Sequence, residues 1–347
     1  MRKRIAAVCA ASLLTAGGVA AAAVAAPASP AVTDHGGAKA SLYATGLNNP
    51  TSFAWVKGTM FAGDSGNGDT RPGGVFLIKD HVGQRISSTL RFVGGLASRK
   101  GVLYISGADA GPHGEQWQIL AWSGWNGTTF TSQKAIYTAP KGFEGFNGLG
   151  FAHDGRLLVG VDTGLGNDND HGPASTSPYL YDILSMTPGG QDLRVFARGI
   201  RQPWQMAFAS RSNRPFVSDL GQDEDATNPP DFILKVKQGQ NYGFPKCNHT
   251  SGSPCNGYAK PFKTLKPHAD PMGLAVIGKK LYVGSYTGGH HDGGGALYVM
   301  RTKGGALKPV VTNFPIQTDA LAAHGGKLYV GGSTSSPESG DIYQVTL

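Results

Sequence analysis

Apolar residues recur along the chain in short alternating runs rather than at helical spacing. In TSFAWVKGTMFAGDSG an alternating run meets a tight turn, and a second run ends near Gly, Asp and Ser. A third run, GGVFLI, follows after a variable loop. Alternation with period two predicts β-strands, and no long stretch shows the 3.6-residue period of a helix. The pattern therefore predicts an all-β chain.

This unit of three runs occurs six times. The other five units open with GGLASRKGVLYISGAD, NGLGFAHDGRLLVGVDTG, WQMAFASRSNRPFVSDLG, MGLAVIGKKLYVGSYTG and DALAAHGGKLYVGGS. Successive units begin about 35–65 residues apart, as propeller blades do. Sheets stacked radially in a ring cover each other's faces and leave only short edges. We predict one six-bladed β-propeller over residues 41–347. A β-sandwich is the alternative, but it gives no reason for a sixfold repeat.

The N-terminal residues have a different composition from the repeats. Three basic residues at positions 2–4 precede an alanine-rich apolar run over 5–23, and small residues offer cleavage after Ala25 or Ala31. This pattern is typical of a secretory signal peptide. We expect residues 1–31 to be a signal peptide and processing region, 32–40 a flexible leader, and the mature protein to be secreted. An uncleaved membrane anchor is the alternative.

Composition and charge narrow the function classes. The chain has 52 glycines and only 16% charged residues, as expected for many turns and short strands. Of the formal charge of +8, three units belong to the signal peptide, and the rest are scattered without aromatic residues between them. Scattered charge does not indicate nucleic-acid binding. No dimer signal stands out, so we expect a monomer.

Two of the three cysteines lie close together. Cys247 and Cys255 occur in KCNHTSGSPC, whereas Cys9 lies inside the signal peptide. In an oxidising compartment, two cysteines flanked by turn-forming residues predict a disulfide. A metal-binding pair is the alternative, but no Cys or His partner stands at zinc spacing.

The predicted ring assigns many polar residues to one end, here called the mouth. The second strand of each blade ends there, and the loops into the next blade lie there too. Such concave ends are favourable places for ligands. The second strands end at Asp64, Asp162, Asp219 and Tyr286, and the loops carry Phe146, Asn147, Arg201, Gln202, Trp204, His268 and Asp270. His153 and His324 fall in tight turns at the opposite end, where we expect ordinary surface residues.

Residues 141–300 resemble the soluble quinoprotein sugar dehydrogenases, the glucose/sorbosone dehydrogenase-like propellers. FARGIRQPWQMAF is similar to the family's Arg-Asn-Pro loop. FVSDLGQDEDATNPPDFILKVKQGQNYGFPKC resembles its strand, acidic calcium loop and Asn-Tyr-Gly-aromatic-Pro segment, and PHADPMGLAVIGKKLYVGSYTGG resembles a later blade. The resemblance implies a six-bladed propeller that oxidises aldose sugars with pyrroloquinoline quinone (PQQ) and calcium.

The resemblance also implies which residues hold these groups. PQQ is a flat tricarboxylate ortho-quinone, and a planar cation such as Arg201 facing the mouth suits its carboxylates. Gln202, Trp204 and Asn147 are the other candidate cofactor residues, although Trp204 fits a core position equally well. Calcium prefers oxygen ligands and would polarise the quinone carbonyl. The candidate calcium ligands are Asp219, Asp223, Asp225 and Asp231, with a merely solvated acidic loop (which also contains Glu224) as the alternative.

The sequence departs from the family at its catalytic base. A histidine takes the sugar hydroxyl proton in the family, whereas Phe146 stands at the matching place here and cannot accept a proton. His268, His290 and His291 reach the same mouth and are the candidate bases, because histidine titrates near neutral pH. The loop asparagine is Gln202, and Phe232 replaces a family glutamate. The loop YTGGHHDGGG is alternatively only an exposed loop.

Three functions follow from these residues. The first is a secreted PQQ-dependent dehydrogenase acting on aldoses or related alcohols, with an external electron acceptor. The second is a calcium-dependent lactonase-like hydrolase, whose ion Asp64, Asn147, Asp162 or Asp219 would hold. The third is a non-catalytic propeller that binds a ligand. The fold alone does not decide among them.

Overall fold

The computed structural model describes residues 32–67, 70–87, 89–111, 114–163, 177–222, 228–250, 252–287, 294–334 and 339–347. Strands, turns and loops make up this described part, which contains no helix. No helix in it is therefore long and apolar enough to cross a membrane. The first two strands are β1 (Thr33–Asp34) and β2 (Lys39–Leu47).

The next three groups of strands form four-stranded antiparallel sheets in chain order. Blade 1 consists of β3 (Pro50–Val56), β4 (Thr59–Asn67), β5 (Arg71–Lys79) and β6 (Val82–Arg85). Blade 2 consists of β7 (Leu90–Arg99), β8 (Val102–Gly111), β9 (Gly114–Trp125) and β10 (Phe130–Thr138). Blade 3 consists of β11 (Phe146–Phe151), β12 (Leu157–Val161), β13 (Ile183–Met186) and β14 (Arg194–Ala197).

The remaining strands repeat the same arrangement. Blade 4 consists of β15 (Pro203–Phe208), β16 (Pro215–Asp219), β17 (Phe232–Lys235) and β18 (Lys263–Thr264). Blade 5 consists of β19 (Pro271–Ile277), β20 (Lys280–Ser285), β21 (Gly295–Arg301) and β22 (Lys308–Phe314). Blade 6 consists of β23 (Ala320–His324), β24 (Lys327–Ser333), β25 (Gly340–Thr346) and the N-terminal strand β2.

The described blades close into a ring around a central channel. The innermost strands β3, β7, β11, β15, β19 and β23 contact each other in turn, and β23 contacts β3. A buried apolar cluster fills each gap between neighbouring blades, including the gap between blades 6 and 1. β2 seals that gap, because it pairs with β25 and meets β6 at Thr45 and Val82. The all-β propeller prediction is confirmed.

Local sequence sets the hairpins at the end opposite the mouth. Lys57 and Gly58 join β3 to β4 with φ values of 50° and 81°, and Gly325 and Gly326 join β23 to β24 with 57° and 78°. Two consecutive residues with positive φ form the two-residue turn whose twist matches the flanking strands. The same end carries His324, which stacks on Trp55 at 4.4 Å between ring centroids.

The segment expected to be a flexible leader, residues 32–40, is instead paired. β1 adds to the outer edge of blade 5 through Thr33 with Thr312 and Asp34 with Val311. The Asp34 carboxylate accepts the Ala40 N–H at 3.0 Å, and the Ala38 side chain is buried. An unpaired strand edge offers free N–H and C=O groups, and β1 covers part of that edge in blade 5.

Candidate functional site

Aspartates at the ends of second strands hold the mouth loops in place. Asp64 accepts the N–H groups of Asn48 at 2.9 Å, Asn49 at 3.0 Å and Gly66 at 2.7 Å. In the equivalent position of blade 4, Asp219 accepts the Gln202 N–H at 2.8 Å. Both carboxylates are buried. The hydrogen bonds of these two carboxylates therefore anchor the loops that lead into the innermost strands.

Burial dominates the electrostatics of these two groups. Desolvation raises the pKa of Asp219 to about 7, and the Gln202 N–H and the Arg201 charge oppose that rise. Desolvation also raises the pKa of Asp64, against its three backbone hydrogen bonds. A raised carboxyl pKa means that the environment disfavours the charged form. These carboxyl groups would ionise more readily beside a cation.

Asp231 joins the mouth loops of two blades. Its carboxylate accepts the Gly221 N–H of blade 4 at 2.5 Å and the Asp270 N–H, just before blade 5, at 2.8 Å. Of the four candidate calcium ligands, Asp219 and Asp231 are therefore both used as backbone acceptors, while Asp223 and Asp225 lie outside the described residues. We also searched the described side chains for Asp, Glu, His and Cys groups close enough together to hold a metal ion. Cys247, His249 and Cys255 form such a group.

The two cysteines of this group are joined in a disulfide, so the group contains no free thiol. Cys247 and Cys255 form the predicted bond, with 5.0 Å between their Cα atoms. Both sulfurs are consumed in it, so they do not act as thiolate ligands. The His249 ring packs edge-on against Phe232 at 5.1 Å, and burial lowers the pKa of this histidine.

Arg201 departs from the expectation that it faces the mouth. The side chain is buried, and Nη1 donates to the carbonyl oxygens of Gly221 and, at 3.1 Å, Leu220. It also contacts the Gln202 side-chain oxygen at 3.3 Å. The pocket that it lines beside blade 4 holds only about 20 Å³. The guanidinium therefore binds the backbone of the loop after β16.

Trp204 and Gln205 reach across the ring. Trp204 Nε1 donates to the Asp319 carbonyl of blade 6 at 3.3 Å. Gln205 Nε2 donates to the Thr51 carbonyl of blade 1 at 2.5 Å, and its side-chain oxygen accepts the Leu274 N–H of blade 5 at 3.1 Å. Gln205 was not singled out from the sequence, although a glutamine within the apolar strand PWQMAF was the available signal.

A cavity of about 230 Å³ occupies the channel beside Gln205. Its lining comes from all six innermost strands, and includes Ser52, Gly95, Gly148, Gln205, Leu274 and Leu321. The cross-ring bonds of Gln205 therefore run at the edge of this cavity and tie blade 4 to the far side of the ring.

Phe146 and Asn147 are neighbours in sequence, but Phe146 is an apolar core residue and Asn147 is a buried polar residue. The Phe146 ring is fully buried in the layer between blades 2 and 3, 4.6 Å from the Phe143 ring centroid. Asn147 is 1% exposed, and neither its side-chain oxygen nor its nitrogen has a hydrogen-bond partner among the described residues. Its backbone is held by Ser106, whose hydroxyl donates to the Asn147 carbonyl at 2.7 Å. A buried amide without partners is rare and points to a missing ligand, ion or water.

Blade 6 contributes a second buried polar side chain without a hydrogen-bond partner among the described residues, and the sequence did not single it out. Asp319 precedes β23, is 2% exposed, and its Oδ2 atom has no hydrogen-bond partner within the described chain. Burial and the neighbouring Asp64 charge raise its pKa well above the usual range. The sequence signal was its place before an innermost strand, the place that Asp270 has in blade 5.

The candidate bases are only partly described. His268 is half-buried in the loop before β19 and has a left-handed backbone, with φ 54°. His290 and His291 lie outside the described residues. A proton-accepting role for any of the three stays a prediction.

The closed ring and its polar mouth define a β-propeller with a cavity of about 230 Å³ in its channel. No protein-family profile matches the sequence, and no curated protein sequence matches it. The solved structures that match include the PQQ-bound aldose sugar dehydrogenase from Streptomyces coelicolor, with a TM-score of 0.63 and 18% identity over 90% of this chain and 100% of that one.

Two further solved structures share the fold. The holo form of the pyranose dehydrogenase PQQ domain from Coprinopsis cinerea has a TM-score of 0.67 and 14% identity, covering 92% of this chain and 99% of that one. A gluconolactonase from Xanthomonas campestris has a TM-score of 0.54 and 15% identity, covering 90% and 91%. At these identities the likeness establishes the fold.

Proposed function

We propose that the protein is a secreted sugar-oxidising oxidoreductase that acts at the propeller mouth with PQQ and calcium. The observation that carries this is the structural similarity of about nine-tenths of the chain to PQQ-containing dehydrogenases. Their TM-scores of 0.63 and 0.67 exceed the 0.54 of the gluconolactonase. The match covers 90% of this chain.

Among the described residues, Asn147 fits a role in binding PQQ, whereas the pocket beside Arg201 does not. The buried Asn147 amide lacks partners and offers both a donor and an acceptor to a polar ligand. The Arg201 pocket does not fit, because about 20 Å³ is far below the roughly 300–1,000 Å³ of typical ligand sites. We therefore assign cofactor binding to Asn147, keep Gln202 and Trp204 as further candidate cofactor residues, and assign the holding of the loop after β16 to Arg201.

When bound, PQQ would accept the two electrons released as a sugar hydroxyl becomes a carbonyl. The protein would orient the ligand through Asn147. Trp204 is half-buried, and its Nε1 donates to the Asp319 carbonyl across the ring, so its indole would offer a flat surface to the ligand. Calcium at the acidic loop would be held by Asp219 and Asp231. Burial and the Asp231 charge raise the pKa of Asp219, and a nearby cation would offset both effects.

The test is reconstitution of the purified protein with PQQ and Ca²⁺, followed by dye reduction with a panel of aldoses. Asn147→Ala should lose at least tenfold in dye reduction and in PQQ affinity. Asn126→Ala is the matched control, because Asn126 lies in the exposed turn between β9 and β10. Absence of aldose-dependent dye reduction in the loaded wild type would refute the proposal. Hydrolysis of sugar lactones with Ca²⁺ alone would favour the lactonase instead, and ligand binding without either activity would favour a non-catalytic propeller.

A further inference from the structure

The disulfide segment between β17 and β18 borders a very small pocket. Cys247 and His249 both line the pocket of about 20 Å³ beside Arg201. A volume of this size has room for one water molecule or one ion, but not for an organic ligand. The segment therefore places a cysteine and a histidine at a cavity that fits a single ion.

Three donor atoms converge in this segment. A ring nitrogen of His249 and the sulfur atoms of Cys247 and Cys255 all lie within 4.8 Å of one another. The sequence alone did not identify this histidine as a partner of the two cysteines. In a tetrahedral zinc site, Zn–S bonds of about 2.3 Å and Zn–N bonds of about 2.0–2.1 Å leave the donor atoms roughly 3.5–3.8 Å apart. The histidine thus lies near the distance that a shared ion requires, and breaking the S–S bond lets the two sulfur atoms separate to it.

Backbone hydrogen bonds hold the segment independently of the disulfide. The Cys247 N–H donates to the Gly243 carbonyl at 2.9 Å, and the Cys255 N–H donates to the Ser253 carbonyl at 2.9 Å. The Ser253 N–H donates in turn to the Thr250 carbonyl at 3.2 Å. Because these bonds constrain the turn between the two cysteines, we expect their thiols to stay close together after reduction.

The His249 ring is oriented by its neighbours. It packs edge-on against Phe232, with 5.1 Å between ring centroids, and it forms a hydrogen bond with the Tyr242 backbone. A neutral imidazole that donates one N–H to a carbonyl keeps a lone pair on its other nitrogen. Metal-bound histidines commonly have a carbonyl partner of this kind, which fixes the ring and raises its basicity. The ring is therefore positioned before any ion binds.

We propose that Cys247, His249 and Cys255 bind Zn²⁺ when the disulfide is reduced and release it when the disulfide forms. Two equivalents of a low-molecular-weight thiol break the S–S bond, because they supply two electrons and two protons and are themselves joined in a disulfide. Zn²⁺ then displaces the two thiol protons and is bound by two thiolates and one imidazole. A water molecule completes the tetrahedron. This redox-controlled metal site requires neither PQQ nor a sugar.

The experiment measures Zn²⁺ binding by the full chain after reduction with tris(2-carboxyethyl)phosphine, because a thiol reductant would compete for the metal. All proteins carry Cys9→Ser, which leaves Cys247 and Cys255 as the remaining cysteines of the chain. Co²⁺ is bound first, since tetrahedral thiolate-bound Co²⁺ absorbs visible light, and Zn²⁺ is then titrated to displace it. The same titration of the oxidised protein should give no cobalt absorption.

The variants test the role of the histidine. His249→Gln should weaken Zn²⁺ binding at least tenfold, and Cys255→Ser should weaken it at least a hundredfold. His153→Gln is the matched control, because His153 is an exposed histidine in the turn between β11 and β12. It should leave Zn²⁺ binding unchanged.

Thermal unfolding distinguishes a folded site from binding to an unfolded chain. Zn²⁺ should raise the melting temperature of the reduced protein, because a ligand of the native state stabilises that state. The rise should be lost in His249→Gln and retained in His153→Gln. Equal zinc affinity of these two variants overturns the proposal, as does a reduced protein that binds no zinc or that unfolds and is not restored by zinc. Equal zinc binding by the oxidised and reduced proteins also overturns it.

Discussion

Replacing Gln205 by methionine should remove the bonds that tie blade 4 across the channel. Methionine keeps the length of the side chain but neither donates nor accepts as the amide does. The Thr51 carbonyl and the Leu274 N–H would both lose their side-chain partner. Each buried polar group left without a partner costs about 1–3 kcal/mol, so Gln205→Met should lower the free energy of unfolding by about 2–6 kcal/mol.

The assay is equilibrium unfolding in urea, followed by tryptophan fluorescence. The midpoint should shift to lower urea with an unchanged m-value, because the surface exposed on unfolding stays the same. Gln133→Met is the control, since Gln133 is exposed on β10. A midpoint shift no larger than that of the control would refute the claim that Gln205 stabilises the ring by bonding across it.

Three further predictions concern stability. Because the folded pKa of Asp219 is raised to about 7 from 3.8, its contribution to stability is lost as pH rises between these values. Asp219→Asn should therefore flatten the fall in unfolding free energy over that range, and an unchanged pH profile would contradict this. Replacing Cys247 and Cys255 together by serine should lower the free energy of unfolding by about 2–3 kcal/mol, measured against wild type with and without reductant. Asp34→Ala removes a hydrogen bond to the N-terminal segment and should cost about 1 kcal/mol in urea unfolding, whereas no loss would mean that β1 contributes nothing.

The sequence was sufficient for the architecture, because blade formation depends on local alternation. Each repeat carries its own strands and tight turn, as in the stretch from Pro50 to Asn67, and its apolar faces need a neighbouring sheet. Repetition of that unit predicted the propeller, and the spacing of Cys247 and Cys255 predicted the disulfide that the structure contains. The same local reasoning placed Asp64 and Asp219 at the mouth.

Tertiary structure decided what those residues contact. The partners of Arg201 are carbonyls about twenty positions away, and the partners of Gln205 lie in blades 1 and 5. Such pairings depend on ring closure, so no local pattern encodes them. Burial likewise distinguishes Asp319, whose Oδ2 atom has no hydrogen-bond partner among the described residues, from Asp219, which accepts the Gln202 N–H. The sequence by itself determined the blades and the end of the ring at which their polar residues gather, whereas the closed ring determined which of those residues bind backbone and which keep unsatisfied polar groups, because solvation and partners are properties of the assembled fold.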